Sequence, residues 1–219
     1  YGTLVPMRII DCVKYVPDTQ SERRFEEGRL VRGEDDVLNE LDENAVEAAV
    51  QLVEEHGGEV IALTMGPEDA EDALMRALQM GADRGVLITD ERLAGADAGL
   101  TALALAAAIQ KINEDGGIDL VVTGMASLDS MTSMLPAALA TRLGMPLLGL
   151  AHSIEVDPGS GRVTIGRTVD GYDDELAAAM PLVVSVTDQI NEPRYPAFAA
   201  MKAARKKPMD QVELAELAY

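Results

Sequence analysis

Small and hydroxyl-bearing residues are concentrated between Gly124 and Pro136, in the segment GMASLDSMTSMLP that follows a short apolar run. Proline has no backbone N–H and is tolerated in the first turn of a helix, so Pro136 predicts a helix start near Thr132 or Ser133. The first N–H groups of a helix attract anions. These N–H groups, together with the hydroxyls of Ser130, Thr132 and Ser133, would form a phosphate-binding site. Plain N-capping by a serine or threonine is the alternative.

Few other side chains have an evident chemical use. Lys14 follows the first predicted strand and could contact a phosphate, although a lysine at a strand end is more often solvated. Cys12 lies inside that strand, where a small thiol is usually an inert core residue. His56 and His152 are far apart and have no catalytic neighbour in the sequence. The acidic segment 170–175 (DGYDDE) lacks the spacing of an EF-hand calcium loop and is interpreted as a solvated turn.

Composition excludes several classes of protein. Neither a Walker A motif nor a GxGxxG motif occurs, so the usual ATPase and Rossmann dinucleotide interpretations lack support. The 219 residues carry a net charge of −20, which argues against nucleic acid or an anionic membrane as a partner. The single cysteine excludes an intramolecular disulfide or a cysteine-clustered metal site within the chain. Chemistry with electrons or phosphates would therefore need backbone groups or a bound cofactor.

The sequence also leads to an expectation about cellular location. No apolar run is long enough to span a bilayer and no secretory signal is visible, so we expect a cytoplasmic protein without direct membrane insertion. Residues 1–6 (YGTLVP) are interpreted as a tag or linker remnant before a native start at Met7.

Short apolar runs alternate with helical patterns, and this alternation must position the segment between Gly124 and Pro136. Asp42 is expected to cap the first helix, and Gly57 and Gly58 to end it. Continuous apolar strands between helices predict an α/β fold, with a mostly parallel sheet and helices on both faces. Strands are predicted over residues 8–14, 59–65, 85–89 and 119–123, and helices over residues 42–56, 68–80, 96–113 and 133–143.

The last third of the chain has a different pattern. Residues 148–156 and 162–169 flank the hairpin signal DPGSG, and residues 182–187 form one more buried strand, so the sheet is predicted to end in antiparallel strands. We assign residues 7–188 to a single α/β nucleotide-binding domain, and residues 189–219 to a partner-recognition loop and C-terminal tail.

Ligands of open α/β sheets bind at the carboxyl ends of the strands. The segments predicted to meet there are residues 12–14, residues 65–67, residues 124–133 and the region of Asn39 before the first helix.

Taken together, these segments resemble the β subunit of electron transfer flavoproteins over residues 7–207. No single motif is decisive, but their order and spacing are specific. The motifs are VKYVPD at 13–18, LNELDENAVE at 38–47, GP at 66–67, ALQMGADR at 77–84, DLVVTG at 119–124, RTVDGYDDEL at 167–176, PLVVS at 181–185 and NEPRYP at 191–196.

The resemblance implies an adenine-nucleotide alpha-hydrolase-like fold and a heterodimer. A larger α subunit would carry most of the FAD site, and this subunit would hold AMP as a structural ligand. The pair would carry electrons from flavin dehydrogenases, such as the acyl-CoA dehydrogenases of fatty acid beta-oxidation, to a quinone-reducing flavoprotein. The chain would need no catalytic residues of its own, because the flavin supplies the chemistry.

The resemblance also implies roles for individual residues. Leu41 would lie near the flavin ring, and Phe198 would be the apolar anchor of a partner-recognition loop at 192–200. Arg194, Lys202 and residues 205–207 would form a basic island beside it. The implied cofactor-binding residues are Cys12, Asn39, Leu41, Met65, Gly124, Ser130, Met131, Thr132, Ser133, Met134 and Asp174, and the implied partner-binding residues are Glu192, Pro193, Arg194, Tyr195 and Phe198.

The sequence departs from the family pattern in three places. The phosphate loop is shorter than the common form and lacks its Asn-Gln-Thr or Thr-Gln-Val run. Asp174 stands where a glutamate near the flavin is usual. The chain ends at Tyr219, before the C-terminal arm that family members wrap around the α subunit. In bifurcating relatives a second FAD occupies the AMP site, so the identity of the nucleotide stays open.

Two other functions are compatible with parts of the pattern. A stand-alone adenine-nucleotide-binding regulatory module of the universal-stress type would carry a Gly-x2-Gly-x9-Gly-Ser/Thr loop, which we do not find. An ATP-dependent ligase or thiolation enzyme would need a pyrophosphate loop.

Overall fold

Fourteen strands and five α-helices make up residues 6–217, the part of the chain that the structure, a computed structural model, describes. The interpretation of residues 1–5 as part of a tag remnant lies outside the described residues. The strands are β1 (Met7–Cys12), β2 (Tyr15–Pro17), β3 (Phe25–Glu26), β4 (Arg29–Leu30), β5 (Asp36–Leu38), β6 (Gly58–Met65), β7 (Arg84–Ile88), β8 (Leu120–Gly124), β9 (Leu147–Ala151), β10 (Ser153–Asp157), β11 (Arg162–Val169), β12 (Tyr172–Ala179), β13 (Leu182–Val186) and β14 (Met209–Val212). The helices are α1 (Glu40–His56), α2 (Glu71–Met80), α3 (Ala98–Glu114), α4 (Leu135–Leu143) and α5 (Phe198–Ala204).

Seven of these strands form the central sheet, in the order β14-β7-β6-β1-β8-β13-β9, and every pairing in it is parallel. Cys12 at the end of β1 pairs with Leu63 of β6 and Thr123 of β8, so the carboxyl ends of these three strands lie at one edge of the sheet. The predicted α/β class, with a mostly parallel sheet, is confirmed.

The core lies on both faces of the central sheet. Alternate side chains of β1 point to opposite faces, so Ile9 packs in the cluster that includes α1 and α2, and Ile10 in the cluster that includes α3 and α4. Both isoleucines are fully buried. Burying a side chain of this size contributes about 1.5–3 kcal/mol to the free energy of unfolding. The two apolar layers therefore hold the helices against the sheet, next to the carboxyl ends of its strands.

The segment 148–156, predicted as one strand, is divided between two sheets. β9 pairs with β13 in the central sheet, and β10 begins a three-stranded antiparallel sheet of β10, β11 and β12. The pairing of β9 with β13 is irregular between Val184 and Val186, and Leu150 has a φ of 64°. This irregularity lets the chain leave the central sheet, and it was not evident in the alternation of apolar residues.

The acidic segment 170–175 was interpreted as a solvated turn, and this was wrong for its last four residues. Only Asp170 and Gly171 form the turn, with φ values of 52° and 80°, and β12 starts at Tyr172. Positive φ at both central residues is the requirement of a two-residue hairpin turn, for which Asp-Gly is a favoured pair. The predicted hairpin between β10 and β11 is present.

The last 29 described residues, 189–217, contain two regular elements that complete the fold. α5 packs Ala204 into the core, and β14 pairs with β7 at the edge of the central sheet. No helix among the described residues is long and apolar enough to cross a membrane.

Candidate functional site

Three segments meet at the carboxyl ends of the central strands: the chain after β1, the chain after β8 and the start of α1. The backbone N–H of Asn39 donates to Lys14 O at 2.9 Å, and the side chain of Asn39 reaches across to Ala126. Met65, the last residue of β6, lies half-buried on the neighbouring strand. The predicted convergence of these segments is therefore present.

Asn39 holds the loop that follows β8, which we call the 125–134 loop. Its amide nitrogen donates to Ala126 O at 2.9 Å, and its amide oxygen accepts from Leu128 N at 3.0 Å. Asn39 is completely buried, and it is the N-cap residue of α1 although its side chain makes no capping hydrogen bond. Both polar atoms of the side chain are therefore bonded to the loop, and only backbone groups remain at Asn39 for a ligand.

Asp42 joins the ends of β1 and β8 beneath the start of α1. Its Oδ2 accepts from Lys14 N at 2.9 Å, and it also accepts from the backbone of Gly124. Burial raises the pKa of Asp42 to about 7, against the opposing effect of hydrogen bonds from Asn39 and the backbone of Lys14. Our expectation that Asp42 caps α1 was wrong, because the helix begins two residues earlier and the carboxylate binds the strand ends instead.

Gly124 is required by the close approach of α1 to β8. A Cβ at this position would lie 2.5 Å from Asp42 Oδ1 and 2.9 Å from Leu41 O, and a real Cβ does not approach other atoms so closely. Leu41 is half-buried next to this contact. The absence of a side chain at Gly124 therefore lets the backbone of β8 lie against the first turn of α1.

Two cations converge on the 125–134 loop. Lys14 Nζ lies 2.8 Å from Asp129 Oδ2, and Arg32, from the segment after the β3–β4 hairpin, binds the same carboxylate. Burial would raise the pKa of Asp129, but hydrogen bonds from Lys14, Arg32 and Ser127 outweigh it and lower the pKa to about 2. The Asp129 side chain is 0% exposed, whereas Lys14 and Arg32 each remain 40% exposed. Positive charge is thus fixed at the loop and still accessible.

Helix α4 begins at Leu135, later than the predicted start at Thr132 or Ser133, and no side chain caps it. The alternative of plain capping by a serine or threonine is therefore not what the structure has. Ser133 has a φ of 52°, and Met134 is right-handed with a φ of −90°. Successive residues of opposite hand direct consecutive N–H groups to one side, which makes an anion-binding concavity.

The exposed groups around this concavity fit a phosphate. Ser130, Thr132 and Ser133 are exposed at the helix start, together with Met131 and Met134. Ser130 Oγ lies 2.8 Å from Ser127 Oγ, so that pair of hydroxyls is already ordered. Backbone N–H groups, hydroxyls and two nearby cations are the donor set that phosphate oxygens accept from.

Cys12 has no reactive role in this site. The thiol is buried, and burial raises its pKa well above the usual value, with Asp11 and Asp42 acting in the same direction. A neutral buried thiol is neither a nucleophile nor a metal ligand. Among the described residues, no group of three or more histidine, cysteine, aspartate or glutamate side chains could hold a metal ion.

The remaining predicted site residues lie elsewhere in the fold. Asp174 is half-buried in β12, where it pairs with Arg167 of β11 at 3.0 Å. The segment with Glu192, Pro193, Arg194, Tyr195 and Phe198 crosses α1 and leads into α5. The structure therefore places the residues predicted to bind the nucleotide at the carboxyl ends of the central strands. Asp174 and the predicted partner-binding residues belong to other elements.

The predicted basic island is smaller than expected. Arg194 is bound by Glu47 and Glu54 of α1, and Lys207 Nζ donates to Leu78 O and Ala82 O at the end of α2. The exposed cations that remain in this part of the chain are Lys202, Arg205 and Lys206.

Asp129 and Arg32 were not predicted as site residues. Arg32 belongs to the polar segment 18–36, which has no periodic apolar pattern, and it reaches Asp129 only through the fold of the β3–β4 hairpin. Asp129 could have been noticed as the only carboxylate within the small-residue segment Gly124–Pro136.

The fold and the site define an α/β protein with a loop of exposed hydroxyls and nearby cations at the carboxyl ends of its central strands. Residues 28–217 match the model of the family described as "Electron transfer flavoprotein domain". The chain is 40% identical over 217 residues to "Electron transfer flavoprotein subunit beta" of Mycobacterium leprae, which covers 95% of this chain and 80% of the relative.

Two further relatives carry other names. "Protein FixA" of Azorhizobium caulinodans is 39% identical, over 91% of this chain and 73% of its own length. "Caffeyl-CoA reductase-Etf complex subunit CarD" of Acetobacterium woodii is 34% identical, over 93% and 77%. The chain therefore belongs to the electron transfer flavoprotein family and is similar to its beta subunits. The resemblance found in the sequence is confirmed.

Proposed function

We propose that this chain is the β subunit of a heterodimeric electron transfer flavoprotein in the cytoplasm. With an α subunit it would hold FAD and carry electrons from flavin dehydrogenases, such as acyl-CoA dehydrogenases, to a quinone-linked acceptor. The observation that carries the proposal is the 125–134 loop, held at the strand ends by Asn39 and Asp42, in a chain that belongs to this family. FAD, when bound, supplies the redox chemistry, and the chain itself supplies binding and orientation.

The nucleotide proposed for this subunit is AMP, in a structural role. Its phosphate would accept hydrogen bonds from the concavity at Ser133 and Met134, and from the neighbouring hydroxyls of Ser130 and Thr132. The adenosine would lie against backbone at Cys12, Asn39, Met65 and Gly124.

A second FAD in the same site is the other candidate ligand. Lys14 and Arg32 are both 40% exposed beside the loop, and although they share the carboxylate of Asp129, the cluster keeps a net positive charge. The relative named as a subunit of a caffeyl-CoA reductase complex is 34% identical. A dinucleotide, with two phosphates, would use both cations.

Two other roles follow from the proposal. Leu41, in the first turn of α1, would pack near the flavin ring, and Asp174 would present its carboxylate toward the flavin from β12. Tyr195 and Phe198, which are 89% and 82% exposed, would contact the dehydrogenase.

The test is co-expression with an α subunit, followed by extraction and mass analysis of the bound nucleotides. We expect a yellow heterodimer with one FAD and one AMP. Two flavins without AMP would favour the second candidate ligand. A colourless homo-oligomer that ignores the α subunit would contradict the proposal, and an adenine nucleotide bound by such an oligomer would favour the regulatory module instead.

A further inference from the structure

Arg194 is held by helix α1 through an unusually complete set of hydrogen bonds. Its Nε and Nη2 donate to the two carboxylate oxygens of Glu47, at 2.8 and 3.0 Å, and its backbone N–H donates to the same group at 3.0 Å. Nη1 and Nη2 also donate to Glu54, at 2.6 and 2.9 Å. Both carboxylates are therefore bound by the N–H groups of one guanidinium, which donate in its plane.

Glu47 is the buried member of this group. Its side chain is 4% exposed, against 56% for Glu54 and 33% for Arg194. Burial acts to raise the pKa of Glu47, but hydrogen bonds from Arg194 and Gln51 reverse this and lower it. A two-pronged pair with a buried carboxylate fixes direction as well as distance, and a lysine cannot reproduce it.

Neighbouring contacts hold the same stretch of chain. Asn44 Nδ2 donates to Asn191 O at 3.1 Å, and Asn191 Nδ2 donates back to Asn44 O at 3.0 Å. On the other side, the guanidinium of Arg76 lies 5.8 Å from the centre of the Tyr195 ring. The chain is thus fixed immediately before its exposed aromatic side chains.

We infer that Arg194 is a positioning residue for partner recognition: by binding Glu47 and Glu54, it orients the exposed Tyr195 and Phe198 toward the dehydrogenase. This inference rests on the proposed role of residues 192–200. It differs from the expectation that Arg194 itself contacts the partner, because its guanidinium nitrogens are directed to α1. A segment ordered before binding loses less conformational freedom when the complex forms.

The experiment uses the flavin-loaded heterodimer and a dehydrogenase, with electron-transfer rates measured as the heterodimer concentration is varied. Glu47→Gln is the decisive variant, because a buried carboxylate has no access to the partner. We expect Glu47→Gln and Arg194→Lys each to raise KM for the heterodimer about ten-fold with kcat unchanged, and to speed amide hydrogen exchange over residues 190–200. Arg142→Lys, at an exposed arginine of α4 outside the recognition loop, is the matched control and should change neither quantity.

The outcomes separate this inference from the proposed function. If Arg194 merely offers a charge to the partner, Arg194→Lys and Glu47→Gln will leave KM and the exchange rates unchanged, which would overturn the inference. Phe198→Ala tests the role of the recognition segment, residues 192–200, itself. If Phe198→Ala leaves KM unchanged, the proposed role of the segment fails. If it raises KM while Glu47→Gln does not, only the positioning role fails. Should Glu47→Gln not fold with its flavin, Glu54→Gln, at the exposed side of the same guanidinium, takes its place, with hydrogen exchange over residues 190–200 of the free heterodimer as the readout. If that exchange rate stays unchanged, the positioning role fails.

Discussion

Asp11 is a carboxylic acid in the middle of the central sheet, and the proposed function does not use it. It is completely buried on the face of β1 that packs toward α1, and neither of its side-chain oxygens has a hydrogen-bond partner among the described residues. Burial raises the pKa of Asp11 well above its usual value, and the nearby Asp42 adds to the shift. The fold therefore favours the neutral acid at this position.

This state of Asp11 predicts a pH-dependent contribution to stability. The native chain keeps the proton and the unfolded chain releases it above about pH 4, so the free energy of unfolding falls as pH rises from there toward the raised pKa. Asp11→Asn has nearly the same shape and no charge. We expect its stability relative to wild type to be higher at pH 8 than at pH 5, by up to about 1.4 kcal/mol per pH unit. Denaturation at the two pH values measures this, and an equal difference at both would contradict it.

Gly124 gives a second prediction at this scale. Replacing it with alanine would push Asp42 and Leu41 away from β8, because the added Cβ would lie 2.5 Å from Asp42 Oδ1. We expect Gly124→Ala to lower stability by about 1–3 kcal/mol and to reduce the nucleotide retained on purification. Gly149→Ala is the matched control, since its Cβ would be 3.6 Å from the nearest atom. Equal effects of the two substitutions would show that the close approach at Gly124 is not needed.

At the level of elements, α1 connects the two regions assigned to function. Asn39, at its start, holds the 125–134 loop, and Asn44, Glu47 and Glu54 hold the recognition segment. The helix has 17 residues, or about 25 Å, so one rigid element sets the position of both regions.

Substitutions of Asn39 and Asn44, which contact different regions from the N-terminal part of α1, should act separately. Asn39→Ala removes two hydrogen bonds to the loop, so we expect amide exchange over residues 126–131 to rise about ten-fold and nucleotide retention to fall, with residues 190–200 unchanged. Asn44→Ala removes the hydrogen bond from its side chain to Asn191 O, although Asn191 Nδ2 still donates to the backbone of residue 44, and it should give the opposite pattern. Hydrogen exchange of both variants measures this, and a joint response of the two regions to either substitution would contradict it.

The elements that were predicted correctly have strong local signals. Apolar runs and helical periodicity identified five of the seven strands of the central sheet and four of the helices to within a few residues. β14 and α5 were not predicted, because they lie in residues 189–219, which were assigned to a loop and a tail. The start of β12 at Tyr172 was missed because its acidic residues were interpreted as part of a solvated turn. The division into β9 and β10 depends on an irregularity in pairing with β13, which no local pattern encodes.

The candidate site was predicted in its location rather than in its contacts. The convergence of strand ends follows from sheet topology, and the segment Gly124–Pro136 was recognised by its small residues and its proline. The burial of Asp129 between Lys14 and Arg32 depends on residues 97 and 115 positions apart in the chain. Such contacts arise from tertiary packing and cannot be inferred from spacing in a single sequence.

For the whole molecule, the charge distribution bears on how a partner approaches. The net charge is −20, yet Lys202, Arg205 and Lys206 are exposed on and just after α5, next to Phe198. Arg194 and Lys207, which the sequence suggested as members of the same group, are bound within the chain. A small basic surface on an acidic protein would attract an acidic region of a dehydrogenase and exclude basic ones.

This surface predicts a salt-dependent association. Replacing Lys202, Arg205 and Lys206 together with glutamine should slow association with the dehydrogenase several-fold at low ionic strength, and the difference should disappear near 1 M salt, where charges are screened within about 3 Å. The control replaces Lys111, Arg142 and Arg162, three exposed cations away from α5, and changes net charge by the same amount. Association rates from stopped-flow electron transfer at both salt concentrations measure the effect. If the control variant slows association equally, overall charge rather than the surface beside Phe198 directs the encounter.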